Sequence, residues 1–129
     1  MRKQIGIILF LTTAVVLAFC KKSVDNSTLL IGKWKIDSVQ LRMVFNNQVI
    51  YQTVYKPSFD YYDFRADNKL YRLWMAQYDT VLYNIVSLNN KSLIHYQNNN
   101  SDDTIITLTR NSLIFKNPQG NDSKIFLTK

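Results

Sequence analysis

The chain has one cysteine, Cys20, set between Phe19 and the pair Lys21-Lys22 at the end of an uncharged apolar run. A disulfide needs a second cysteine, a structural zinc site needs several ligands, and a catalytic thiol needs a base held beside it. None of these fits a residue at the edge of a hydrophobic leader. His95 is the sole histidine, which leaves no histidine cluster for a metal and no pair for proton transfer, and it reads as a surface or rim residue. Asp102 and Asp103 are adjacent carboxylates, but the surrounding NNNSDD reads as a solvated polar loop tip rather than an acid–base pair. No nucleophile motif, glycine-rich phosphate loop or HExxH occurs. The residue types therefore predict no catalytic residues, no metal and no cofactor, and the chain does not read as an enzyme.

Cys20 makes sense as a place of attachment. Met1-Arg2-Lys3 is basic, and residues 4–20 then run without a charge. That is the layout of a secretory signal, with a hydrophobic signal helix over residues 1–19. An uncleaved anchor is the competing reading, because the run approaches the roughly 17 residues that span a bilayer. Leu17-Ala18-Phe19-Cys20 resembles the lipobox of bacterial lipoproteins. The resemblance implies cleavage before Cys20 and acylation of its thiol, with palmitate-type chains as the membrane partner and the outer membrane, facing periplasm or surface, as the address. Each acyl methylene entering the bilayer contributes about 0.8 kcal/mol, so two or three chains hold firmly. Lys21 and Lys22 add attraction to an anionic leaflet.

Removing residues 1–19 leaves about 110, enough for one small domain with a single core. The formal net charge is +7, and two of those charges leave with the leader. The rest are interspersed with acids rather than gathered on one face, so nucleic acid is not an expected partner. Without further cysteines, nothing staples the fold.

The elements that must carry any site follow from the pattern. Residues 20–28 are small and polar enough for a flexible tether. Beyond them, period-two alternation recurs between turn signals and no segment reads as an amphipathic helix. Strands are predicted over 34–45, 48–55, 59–65, 69–75, 80–86, 92–97, 104–110, 112–116 and 124–129. Asn46-Asn47, Asp67-Asn68 and Asn89-Asn90 supply turns, as do Pro118 and Gly120. Short antiparallel strands without crossover helices predict an all-β fold over residues 29–129. Closing them into an up-and-down barrel of about eight strands removes exposed edges.

Gly32-Lys33-Trp34 at the head of the first strand resembles the opening motif of lipocalins, and YDFRADNKLYRL resembles the aromatic hairpin of the same group. Over residues 29–129 the chain is similar to small lipocalin-like lipoproteins of Gram-negative bacteria. The resemblance implies a barrel end closed by Trp34 under a basic side chain, with Arg110 and Lys129 as the candidates, in a contact worth about 0.5–2 kcal/mol.

A barrel of this size holds packed side chains or one small ligand. Trp34, Tyr62, Phe64, Tyr71, Trp74, Tyr83 and Tyr96 are the candidate ligand-lining rings, with Arg72 or Arg110 engaging an acidic head. Register decides which point inward, since Leu70, Arg72 and Trp74 alternate with Tyr71, Leu73 and Met75. The expected function is binding of a small hydrophobic or amphipathic ligand by a membrane-anchored barrel. The alternative is a cavity-free barrel acting as an envelope interaction module.

Overall fold

The computed structural model describes residues 25–118 and 121–129. The expected signal helix, Cys20, the first part of the tether and the turn residue Gly120 lie outside the described residues. A short helix, α1 (Asn26–Leu30), precedes nine strands. These are β1 (Gly32–Phe45), β2 (Gln48–Tyr55), β3 (Tyr61–Phe64), β4 (Lys69–Trp74), β5 (Gln77–Leu88), β6 (Lys91–Tyr96), β7 (Ser101–Leu108), β8 (Ser112–Asn117) and β9 (Ser123–Thr128). Their order is β2-β1-β3-β4-β5-β6-β7-β8-β9, and β1 also pairs with β9. Eight strands therefore close an antiparallel barrel, as the alternation predicts, while β2 stays outside the ring.

Several boundaries differ from the sequence reading, and three of the differences bear on the site. Residues 26–28, expected as tether, form most of α1, because the Asp25 carboxylate accepts from the Ser27 N–H and starts the turn. β5 begins at Gln77 rather than residue 80, because Met75-Ala76 makes the hairpin turn with both φ angles positive. β7 begins at Ser101, so the supposed loop carboxylates Asp102 and Asp103 are strand residues. Among the described residues no helix is long and apolar enough to cross a membrane.

Alternation explains the core. β9 turns Ser123, Ile125 and Leu127 inward, and β8 turns Leu113 and Phe115 inward. β1 buries Trp34 and Ile36, then Val39, because an extra residue against β9 between Ile36 and Ser38 shifts the phase. The two-residue turns Asn46-Asn47 and Asn89-Asn90 both adopt positive φ, where asparagine is tolerated and the turn's twist matches the strands. Rings follow one another from Tyr55 of β2 into the barrel: Trp74 (5.7 Å between centroids), Tyr62 (6.3 Å), Phe64 (6.1 Å) and Tyr83 (5.1 Å).

One barrel end is built around Trp34. Its indole N–H donates to the Leu30 carbonyl at 2.7 Å, fixing α1 across that end with Leu30 buried. Of the two cations considered, Lys129 takes the place: its ammonium lies 4.3 Å from the Trp34 ring centroid. It also donates to the carbonyls of Leu29 and Ile31, which the end of so short a helix leaves open. Gly32 has φ +124°, a backbone conformation that calls for glycine, and a Cβ there would press on Lys129 Cε at 3.2 Å.

Candidate binding cavity at the barrel mouth

The opposite end is open among the described residues. A cavity of about 560 Å³ begins there, walled by Val39 and Leu41 of β1, Trp74 of β4 and Ile125 of β9. Val54 and Tyr55 close it from outside the ring. Val54 reaches the cavity because it is the extra residue where β2 slips against β1, between the Val39–Tyr55 and Gln40–Thr53 pairs. Met75 and Gln77 form the rim.

The floor is polar. Arg72 sits between Tyr62 below and the cavity above, its guanidinium 5.9 Å from the ring centroids of Tyr62 and Tyr96. Its Nη2 donates to Asp79 Oδ2 at 2.6 Å across a directly opposed β4–β5 pair. That hydrogen bond holds the Asp79 carboxyl below its ordinary range. Asn117 and Ser123, opposite each other on β8 and β9, complete the polar lining.

Two further carboxylates stand close by. Asp60, buried, accepts from the Tyr55 hydroxyl and the Met75 N–H, both at 2.7 Å. The second bond braces Met75 in its positive-φ conformation, which a non-glycine residue adopts only at a cost. Asp103 is 4 % exposed; Tyr96 donates its hydroxyl to one oxygen at 2.7 Å, and the other has no hydrogen-bond partner among the described residues. Burial pushes the Asp103 carboxyl up to about 6, against the opposing pull of the Tyr96 bond and of Arg72. Burial likewise raises Tyr62 to about 12 and Tyr96 well above 10, so both remain phenols.

The predicted site residues divide by register. Phe64 pairs with Leu70 and Tyr62 with Arg72, which turns Leu70, Arg72 and Trp74 inward. Tyr62, Arg72 and Trp74 thus meet at the cavity. Trp34, Phe64, Tyr83 and Tyr96 are interior but belong to the packed core. Tyr71 faces outward, one residue out of phase, and Arg110 is exposed in the turn between β7 and β8, at the α1 end; neither reaches the cavity. Arg72 is not a free cation for an acidic head, because Asp79 already holds it. His95 lies on the outer face, 2.7 Å from Asp102 Oδ1.

Sequence reasoning missed Asp60, Asp79 and Asp103. Asp103 was hidden by its polar neighbours, although Ser101, Asp103 and Ile105 keep a strand's period. Among the described residues no group of three His, Cys, Asp or Glu side chains is placed to hold a metal ion.

A larger concavity, about 900 Å³, opens beside α1 at the other end. Asp25, Asn26, Ser27, Asn68, Ser87 and Ser92 give it mostly hydroxyl, amide and carboxylate walls. Apolar ligands need apolar walls, so the smaller mouth cavity is the better candidate. No protein-family model, curated protein or solved structure significantly matches this chain.

Proposed function

We propose that the chain is a lipid-anchored envelope protein, lipocalin-like in kind, that reversibly binds a small amphipathic molecule in the mouth of its barrel. The observation that supports this most is the cavity itself. At about 560 Å³ it falls within the range of small-molecule sites, and it joins aliphatic and aromatic walls to a polar floor at Arg72 and Asp79. The ligand's apolar part would lie against Val39, Leu41, Val54 and Ile125, and its polar end would meet the floor. Nothing in this reading calls for catalysis.

Native mass spectrometry of protein purified from its own host tests the binding: a co-purifying small molecule is expected, lost when Trp74→Ala and Leu41→Asn remove the walls. Protein that is always empty counts against it. Anchoring is tested separately by labelling with radioactive palmitate in cells making wild type and Cys20→Ala. Label retained by the variant would refute Cys20 as the attachment site.

A second reading, a protein-interaction module, draws support from the β1–β2 ribbon. Met43, Val44, Phe45, Val49 and Ile50 are all exposed there. Cross-linking from this ribbon to an envelope protein in intact cells would favour it.

A further inference from the structure

We infer that the mouth cavity selects amphiphiles with a cationic head, a protonated amine or a quaternary ammonium, over those with an anionic one. The inference rests on the binding reading above and adds the sign of the head group.

The first ground is local charge. The chain is basic overall, at +7, yet the surroundings of the cavity are not. Arg72 is the cation in its lining, and Asp79 neutralises it at 2.6 Å. Asp60 is buried beneath the rim and accepts from two neutral donors, the Tyr55 hydroxyl and the Met75 N–H. Asp103 stands near Asn117 of the wall, because Thr104 pairs with Lys116, and is close enough to feel the charge of Arg72. The nearby bases face away. Arg42 pairs with Tyr51 on the outer face of the ribbon, Lys124 lies 3.7 Å from the centroid of that same ring, and Lys116 and Arg42 both turn to Asp122. Asp60 and Asp79 therefore oppose one guanidinium, with Asp103, which holds its proton more tightly than an ordinary carboxyl, as a weaker third. An anionic head would have to displace Asp79 from Arg72 or add further negative charge in a partly desolvated space.

The second ground is the walls. Tyr55, Trp74 and Tyr62 lie in ring contact along one side, with centroids 5.7 and 6.3 Å apart. Aromatic faces attract ammonium groups, tryptophan most of all. The two grounds are independent, and they favour the same sign.

The test uses the full chain in zwitterionic lipid nanodiscs, titrated calorimetrically with octyltrimethylammonium, octanoate and 1-octanol. Each titration is corrected for uptake by empty nanodiscs. The cation should bind at least tenfold more tightly than octanoate, with 1-octanol between them. Asp79→Asn, a change at a half-exposed side chain, should shrink that ratio at least threefold by releasing Arg72. Octanoate binding as tightly as the cation, or a ratio untouched by Asp79→Asn, would overturn the inference while leaving the binding reading standing. If none of the three binds, the binding reading falls and takes the inference with it.

Discussion

Asp103 keeps one oxygen on the Tyr96 hydroxyl and the other buried without a hydrogen-bond partner among the described residues, an arrangement that makes its proton harder to lose. Its folded value of about 6 lies above the ordinary 3.8, so the folded chain binds this proton more tightly than the unfolded one. The resulting stability is fully present below about pH 4 and is lost as pH rises through 6. The difference corresponds to about 3 kcal/mol at most. Urea unfolding of wild type and Asp103→Asn across pH 4 to 7.5 measures it. The variant is expected to gain stability relative to wild type as pH rises, since an amide keeps the Tyr96 contact without the charge. A constant difference between the two would sink the argument. Lowered carboxyls such as Asp79 act in the opposite direction, which is why only the difference between the proteins is diagnostic.

At the scale of elements, the β1–β2 ribbon is the part the barrel does without. The ring closes through β1 and β9, and among the described residues β2 has a hydrogen-bonded neighbour on one side only. Residues 48–55 carry no charge, so this edge lacks the usual protection against pairing with another chain. Replacing residues 43–50 with Asn-Gly would join Arg42 directly to Tyr51, already a cross-strand pair, through a favoured two-residue turn. Because most of the removed side chains are exposed, the loss of stability should stay below about 2 kcal/mol. Thermal unfolding followed by circular dichroism checks this. Loss of a cooperative transition would mean that the ribbon belongs to the folding unit.

For the whole molecule, closure is the controlling event. β9 is hydrogen-bonded on both sides, to β8 and to β1, and brings Ile125 and Leu127 into the core. Lys129 then ties the last residue to the opening helix and to Trp34. Ending the chain at Asp122 would remove all of this, leaving two open edges and an uncovered core. Such a protein is expected to lose its dispersed amide resonances, whereas the ribbon deletion keeps them. A folded truncation would show that the sheet stands without being sealed.

Much of this architecture is local and so was legible in the residues. Alternation set the strands, and asparagine pairs that tolerate positive φ set the hairpins at 46–47 and 89–90. That Trp34 closes one barrel end was implied by the resemblance of Gly32-Lys33-Trp34 to a lipocalin opening, and Trp34 is buried there. What the residues left open was register and distance. Whether Arg72 or Tyr71 faces inward depends on which residue β3 sets opposite, and local sequence carries no preference between phases one residue apart. Arg72 meets Asp79 only because a turn at Met75-Ala76, two residues with no usual claim to positive φ, sets the β4–β5 pairing. Asp103 looked solvated because its neighbours are polar; β7 turns it inward, where the Tyr96 hydroxyl meets it. Period and turn chemistry act over a few residues, while burial and charge pairing depend on strands brought together by closure, so the chain spelled out the barrel and only the closed barrel decided its mouth.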